Sequence, residues 1–401
     1  MNLGERLSQV RAVTGIMHGS RAFGGPFHAT LRIINRCNVK CSPCPWFSPY
    51  VEKPVLTELK RARLNGIELD EHKYGEHLHN HLQQFDAGSE RLHGVLDELL
   101  KMGTRRFIFT GTGEPFLHKN LLDFIGRVKS GRGACIVHTN GTLLSPQITD
   151  EMVRLKVDEL RVTTMAGTRE MYLRTHQGTR DGTFEAIRDN LLYLAGRKAS
   201  VGTRRPVVTL VNVVHSLNYD GLLDFGRFAG SVNADRVCFQ PLVDDGDPGL
   251  SKLVPTEKQA FSVREQLSEA KSYFESHGIG HNINYFLNVF RAKIDTIGLY
   301  RVIPCYIGWL GVHFQLNGDV HPCCRCYDSL GNIYETKFHD IWHGHAYRDF
   351  RQHARRINRS KSPGISGCDC GSCPHYTLNI RIYRHLHPID GRLIRFGLPS
   401  L

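Results

Sequence analysis

Clustered cysteines are the feature that most constrains this chain. Ten of its 12 cysteines lie in two groups, and only Cys135 and Cys238 stand alone. The first group comprises Cys37, Cys41 and Cys44, and the second comprises Cys305, Cys323, Cys324, Cys326, Cys368, Cys370 and Cys373. Disulfide frameworks belong mainly to small secreted domains, whereas tight cysteine groups in a long chain are typical of metal centres. The sequence therefore predicts two metal sites.

The rest of the composition indicates a soluble, cytoplasmic protein. No apolar run approaches the roughly 18 residues of a transmembrane helix, and residues 1–11 lack the pattern of a secretory signal. The formal net charge is +12, which suits nucleic acid, a membrane surface or an anionic substrate. No long Lys/Arg block is interleaved with aromatic residues, so nucleic-acid binding is disfavoured. The basic tail at 379–401 gives a weak indication of membrane contact.

Hydrophobic patterning predicts an α/β fold. Strand-like segments alternate with helical patterns, and the predicted strands are 29–34, 106–110, 134–138, 159–163, 207–214 and 236–239. Such alternation is typical of βα units and a mainly parallel sheet. We therefore expect a partial (β/α)6 barrel, with its chemistry at the carboxyl ends of the strands.

The C-terminal third has a different pattern. Asn317-Gly318 between two extended runs predicts a β-hairpin, and a helix is expected near 339–353. The expected organisation is an N-terminal extension at 1–28, the barrel at 29–245 with an insertion at 45–91 that caps the site, a helical linker at 246–300, a small cysteine-rich domain at 301–378 and the basic tail at 379–401.

The spacing of the first cysteine group favours an iron–sulfur cluster. Cys37, Cys41 and Cys44 are separated by three residues and then by two. Three thiolates in one loop can bind three irons of a cubane and leave the fourth iron open. A structural zinc ion would need a fourth protein ligand, and the sequence offers none nearby.

In these motifs the chain resembles the radical S-adenosylmethionine enzymes. The resemblance implies that S-adenosylmethionine binds the open iron and is cleaved to methionine and a 5′-deoxyadenosyl radical, which abstracts hydrogen from a substrate. It also implies cofactor-binding residues at the ends of the second to sixth strands: Gly111, Thr112, Gly113, Glu114, Pro115, Thr139, Asn140, Thr164, Asn212 and Gln240. The family usually has an aromatic residue before the third cysteine. Here Pro43 stands there, and Trp46 is either its replacement or an ordinary core residue.

The second cysteine group resembles the twitch domain, a short form of the SPASM extension found after some barrels of this family. The resemblance implies that four cysteines ligate an auxiliary [4Fe–4S] cluster: Cys305, Cys323, Cys370 and Cys373. The sulfurs alone would equally satisfy zinc. The resemblance gives no ligand role to the other three cysteines of this group. They are either substitute ligands or residues that face the substrate: Cys324, Cys326 and Cys368.

These expectations lead to a radical enzyme that oxidises or epimerises a substrate, with the auxiliary cluster as electron acceptor. A polar small molecule (a sugar, aminocyclitol or nucleotide-linked compound) is predicted, because 1–28 is too short for an added peptide-binding domain. A peptide-modifying enzyme is the alternative, and a non-catalytic iron–sulfur or zinc protein that binds nucleic acid is a distant one. Cys238 is the candidate hydrogen-atom donor, and a flavodoxin or ferredoxin is the expected reductant.

Overall fold

The fold is described from a computed structural model, which covers residues 3–51, 86–243, 247–291, 296–360, 364–371 and 373–388. The first six strands are β1 (His28–Arg32), β2 (Arg106–Thr110), β3 (Ala134–Thr139), β4 (Glu159–Thr163), β5 (Val207–Val214) and β6 (Arg236–Pro241). Helix α1 (Leu3–His18) precedes β1. The helices between these strands are α2 (Ser89–Met102), α3 (Leu121–Ser130), α4 (Pro146–Arg154), α5 (Arg169–Thr175), α6 (Thr183–Val201) and α7 (Leu222–Ser231).

Shorter elements follow β6. They are α8 (Pro248–Ser251), α9 (Glu257–Ser276), β7 (Gly280–His281), α10 (Ile283–Arg291), α11 (Thr296–Tyr300), α12 (Ile307–Leu310), β8 (Gly311–Phe314), β9 (Val320–His321), α13 (Phe338–His343), α14 (His345–Arg356) and α15 (Tyr376–Leu386). Two 3₁₀ turns lie at Pro115–Leu117 and Ile357–Arg359.

The nine strands form one sheet in the order β7-β6-β5-β4-β3-β2-β1-β8-β9. All neighbouring strands are parallel except β8 and β9, which form the predicted antiparallel hairpin. The predicted α/β partial barrel is therefore confirmed. The hairpin of the cysteine-rich region belongs to the same sheet, because β8 pairs with β1 in the register His28↔Gly311.

Amphipathic helices cover one face of this sheet. In α2, Leu92, Val95, Leu96 and Leu99 recur at the spacing of one helical face and are buried in the same core as Phe107 and Phe109 of β2. Alternate residues of the strands point to the other face, as in β4, where Leu160 and Val162 are in the core and Glu159 and Arg161 form an ion pair.

Helix α9 lies within the expected helical linker, and its Val263, Leu267 and Phe274 pack into the main core. One predicted helix differs in the structure. The single helix expected near 339–353 is two helices, because Gly344 between them is extended (φ −70°, ψ 177°). Residues 52–85 of the predicted cap and 389–401 of the tail lie outside the described residues. None of the described helices is long and apolar enough to cross a membrane.

Candidate active site and auxiliary cysteine site

The first cysteine loop begins directly after β1, at the carboxyl edge of the sheet. Cys37, Cys41 and Cys44 are each half-buried. The backbone N–H of Ser42 donates to the carbonyl of Thr175 at 2.9 Å, which ties the loop to the end of α5. The N–H groups of Trp46 and Phe47 point at Cys44 Sγ, at 3.5 and 3.3 Å. The loop therefore holds its thiols in place and supplies hydrogen bonds to one sulfur.

The three thiols share an environment that suits a bound cation. Burial raises the pKa of Cys41 well above its usual value, and the neighbouring Cys44 and Cys37 raise it further. Burial also raises the pKa of Cys37 to about 11. Thiolates this close together need positive charge to offset their repulsion, and iron supplies it.

The loop Gly111–Pro115 packs directly against the cysteine loop. The N–H of Gly113 donates to the carbonyl of Ile34 (3.2 Å), and that of Glu114 donates to the carbonyl of Arg36 (2.8 Å). A Cβ atom on Gly113 would lie 1.9 Å from the carbonyl oxygen of Arg36. Glycine is therefore required where the two loops touch. Thr112 Oγ1 also lies 3.4 Å from the carbonyl oxygen of Ile34.

Glu114 is held at both carboxylate oxygens. Oε1 accepts from Thr139 Oγ1 (2.7 Å) and from the N–H of Phe116 (3.1 Å), and Oε2 accepts from the N–H of Asn140 (2.6 Å). Despite these donors, burial raises the pKa of Glu114 to about 7. A buried carboxylate of fixed orientation is suited to binding a cationic group such as an ammonium.

Asn140 connects the third strand to the cysteine loop. Its Nδ2 donates to Asn38 Oδ1 at 2.8 Å and lies 4.0 Å from Cys37 Sγ. Its Oδ1 accepts from Thr142 Oγ1 at 2.7 Å, and Asn38 donates to the same hydroxyl. Thr139 and Asn140 therefore lie beside Glu114 and the first cysteines.

The other predicted cofactor-binding residues are more scattered. Thr164 is fully buried, and its Oγ1 has no hydrogen-bond partner among the described residues, so a ligand hydroxyl or amino group would satisfy it. Asn212 Oδ1 instead accepts from Asn218 at 2.9 Å, within a separate buried polar group. Gln240 is exposed near the end of β6. Trp46 is half-buried beside Cys44.

Cys238 lies on the sheet face opposite the helices, with a group of charged side chains. Glu159 accepts from Arg161 (2.7 Å) and Thr209 (3.2 Å), and Arg106 is 3.7 Å away. Burial raises the pKa of Cys238, which Arg161 partly offsets. The thiol is therefore protonated at neutral pH and half-buried in the barrel.

Sequence reasoning missed Tyr172 and His176. His176 pairs with Cys41 in an isolated backbone bridge, and the ring of Tyr172 stacks on it with centroids 4.0 Å apart. The Tyr172 hydroxyl is buried without a hydrogen-bond partner among the described residues, and the thiols of Cys41 and Cys37 contribute to raising its pKa. A Tyr in α5 and a His directly after that helix carry no sequence signal for this position.

The second cysteine group encloses a cavity. Cys305, Cys323, Cys370 and Cys373 all line one small cavity. Cys305 precedes α12, Cys323 follows β9, and the other two precede α15, so three separate segments meet here. Asn379 Nδ2 lies 3.9 Å from Cys305 Sγ, and the Tyr300 hydroxyl lies 2.9 Å from Cys373 Sγ.

Burial raises the pKa of Cys305 and raises that of Cys370 to about 11. A group of four buried or half-buried cysteines around one cavity fits an iron–sulfur cluster without an open iron.

The three remaining cysteines do not share one role. Cys326 and Cys368 form a disulfide next to this cavity. Cys324 lies instead against His375, with 3.8 Å between Sγ and Nε2.

Comparison with known proteins gives a family match for the second site. Residues 305–374 match the SPASM model, which describes an iron–sulfur cluster-binding domain. Solved structures show the same fold: SuiB of Streptococcus suis bound to S-adenosylmethionine superposes with a TM-score of 0.59 at 11% identity, over 92% of this chain and 82% of SuiB. SuiB bound to its precursor peptide SuiA gives 0.58 at 12% identity, over 93% and 82%.

Curated relatives match nearly the full length. The chain is 23% identical to the tungsten-containing aldehyde ferredoxin oxidoreductase cofactor-modifying protein of Pyrococcus furiosus, over 80% of this chain and 82% of that protein. It is 25% identical to the antilisterial bacteriocin subtilosin biosynthesis protein AlbA of Bacillus subtilis, over 96% and 74%. It is 21% identical to the PqqA peptide cyclase of Granulibacter bethesdensis, over 80% and 74%.

The cofactors of this family are S-adenosylmethionine and [4Fe–4S] clusters, and the two cysteine sites have the donors to hold them. Fold, cysteine arrangement and domain match agree, and the chain is a radical S-adenosylmethionine enzyme with a SPASM-type C-terminal domain.

Proposed function

We propose that this enzyme abstracts a hydrogen atom from a residue of a peptide. The observation that carries the proposal is the length of the match to AlbA, a bacteriocin biosynthesis protein, which spans 96% of this chain. The match to a PqqA peptide cyclase agrees with it. SuiB with its precursor peptide supports the view that this fold has room for such a substrate. The comparisons thus favour the peptide alternative over the polar small molecule that the short N-terminal extension suggested.

The residues near the first cysteine loop have distinct roles in this proposal. When bound to the cluster, S-adenosylmethionine supplies a carbon radical on one-electron reduction. Cys37, Cys41 and Cys44 hold that cluster, and Glu114 accepts the amino group of the methionine part. Thr139 and the backbone of Asn140 fix the carboxylate, so that it needs little reorganisation on binding. The hydroxyl of Thr164 gains the partner that it otherwise lacks.

The barrel face that carries Cys238 is the proposed peptide site. Arg161 and Glu159 on this face supply a positive and a negative charge that can bind the polar backbone of a peptide. The Cys238 thiol is protonated, which is the form that can return a hydrogen atom to the substrate radical. Cys305, Cys323, Cys370 and Cys373 would hold the auxiliary cluster. It would supply an acceptor for the electron released when the substrate radical is oxidised to the product in place of taking a hydrogen atom from Cys238. A flavodoxin or ferredoxin is the proposed electron donor to the first site.

Deuterium transfer tests the substrate class. A lysate of the source organism, grown in deuterated medium, is separated into a peptide fraction and a small-metabolite fraction. Each is incubated with the reconstituted enzyme, S-adenosylmethionine and dithionite, and the 5′-deoxyadenosine formed is analysed by mass spectrometry. We expect deuterium in 5′-deoxyadenosine from the peptide fraction alone. The Cys41→Ala variant is the control and forms no 5′-deoxyadenosine.

A small-molecule substrate is the second candidate, and one comparison favours it. The Pyrococcus relative is named a cofactor-modifying protein and matches 80% of this chain. Deuterium transfer from the metabolite fraction, with none from peptides, would overturn the peptide proposal and support this one.

A further inference from the structure

We propose that His313, Cys324 and His375 bind a single divalent transition-metal ion of the Zn²⁺ type, separate from both iron–sulfur sites. His313 lies in β8, Cys324 follows β9, and His375 immediately precedes α15. Their ligand atoms all lie within 4.8 Å of one another. The inference rests on these residues and does not depend on the substrate class.

The distances are close to those of a bound ion. Cys324 Sγ and His375 Nε2 are 3.8 Å apart. In a tetrahedral zinc site, one thiolate and one imidazole nitrogen lie about 3.6 Å apart, given their usual bond lengths to the metal. A shift of a few tenths of an ångström would therefore bring this pair to coordinating distance.

An unsatisfied nitrogen supports the same site. His313 is 8% exposed, and its Nε2 is buried with no hydrogen-bond partner among the described residues. A polar atom left buried and unpaired destabilises the folded state, and a metal bond would satisfy this nitrogen.

His28 lies next to these three residues and is the candidate for a fourth ligand. The ring of His28, in β1, lies 6.3 Å from the ring of His375, centroid to centroid. Two imidazoles and a thiolate form a donor set suited to zinc, and His28 or a water completes four-coordination.

This site adjoins the auxiliary cavity but does not coincide with it. His375 and Cys323 both line that cavity, whereas Cys324 and His313 do not. Cys324 lies against His375 and near His313. A metal here would link the sheet, through β8, to the loop after β9 and to the start of α15. It would therefore fasten the cysteine-rich region to the barrel.

Metal analysis of the holoenzyme tests the inference. Protein with reconstituted clusters is incubated with Zn²⁺, dialysed, and analysed for zinc, iron and sulfide. We expect one zinc per chain in the wild type. Cys324→Ser and His313→Ala should lose the zinc and keep their iron and sulfide, which also shows that the cysteine-rich region remains folded. His353→Ala, an exposed histidine of α14, is the matched control and should keep the zinc.

Cobalt supplies a second measurement. Co²⁺ bound in place of zinc should give a thiolate-to-cobalt charge-transfer band in the wild type, and Cys324→Ser should abolish it. Zinc retained by both variants would overturn the inference. Loss of iron and sulfide together with zinc in Cys324→Ser would also overturn it, because Cys324 would then belong to the auxiliary cluster. Neither result bears on deuterium transfer from peptides.

Discussion

The two cysteine regions arrange their thiols in opposite ways. In the first, three half-buried sulfurs come from eight consecutive residues, and loops after β2, β3 and β4 hold that segment from outside. In the second, four sulfurs come from three segments and enclose a cavity, with Cys305 and Cys323 buried. A cluster bound by the first arrangement would keep one side open to an exchanging ligand. A cluster bound by the second would be held from several sides, which suits permanent binding.

Cys41→Ala should give the largest functional difference between the two cysteine regions. We expect it to remove about four irons per chain and to abolish formation of 5′-deoxyadenosine, because the remaining two thiols cannot hold a cluster with one open iron. Iron and sulfide analysis and chromatography of 5′-deoxyadenosine measure both effects. Cleavage by the variant above the level of cluster-free protein would contradict the assignment of this loop.

Cys373→Ala should affect only the enclosed region. We expect it also to lose about four irons while it still cleaves S-adenosylmethionine in the absence of substrate. Cys135→Ala is the control, since Cys135 is buried on the helix-facing side of β3 and should keep both clusters. If Cys373→Ala stops cleavage as well, the two regions are not independent.

Gly113→Ala tests the contact that supports the open site. The added methyl group would meet the carbonyl oxygen of Arg36, so we expect a loss of about 3 kcal/mol in the free energy of unfolding and a higher KM for S-adenosylmethionine. Gly196→Ala is the matched control in α6, where nothing lies within 4 Å of the new atom. It should stabilise the protein by about 0.5–1 kcal/mol. Equal effects of the two substitutions on denaturant unfolding would refute the role of this contact.

Glu114 should give the open site a pH dependence. Its pKa is raised from 4.5 to about 7 by burial, so between these values the folded cluster-free protein keeps a proton that the unfolded chain releases. Stability from this group is complete below pH 4.5 and is lost as the pH rises through 7, a decrease of about 3 kcal/mol. Denaturant unfolding of wild type and Glu114→Gln at several pH values measures the difference. Parallel pH profiles for the two proteins would argue against a raised pKa.

Tyr300→Phe should have the smallest effect, on the enclosed site alone. The hydroxyl lies 2.9 Å from Cys373 Sγ, and a hydrogen bond to a cluster sulfur stabilises the reduced state. Its loss should lower the auxiliary potential by about 20–60 mV, the equivalent of one hydrogen bond. Tyr347→Phe is the control, because that buried hydroxyl has no hydrogen-bond partner among the described residues. Redox titration followed by electron paramagnetic resonance distinguishes the two variants.

Local patterns were sufficient to predict much of the barrel. The strands at 106–110, 159–163 and 207–214 have the bounds that their apolar runs predicted. Motifs at strand ends meet because the carboxyl ends of parallel strands share one edge, which explains why Glu114 and Asn140 lie together. Such positions follow from topology once the strands are known.

Local sequence patterns could not predict the contacts between distant segments. Asn317-Gly318 predicted the hairpin, but nothing near it indicates that β8 pairs with β1. The hydrogen bond from Arg32 to Gln315 across that junction joins residues 283 positions apart, which no local pattern can predict. The helical pattern of α9 was evident, whereas its packing into the main core depends on surfaces elsewhere in the chain. The disulfide between Cys326 and Cys368 and the stacking of Tyr172 on His176 are likewise products of tertiary structure.

The pairing of β8 with β1 has a consequence for electron movement. The first cysteine loop follows β1, and the enclosed cavity is flanked by the segments that enter β8 and leave β9. Backbone hydrogen bonds between β1 and β8 therefore hold the two cysteine sites on one sheet, and we expect them to keep the distance between bound clusters constant. Tunnelling rates fall exponentially with distance, so the rate of electron exchange between the clusters should depend little on substrate-induced motion of loops.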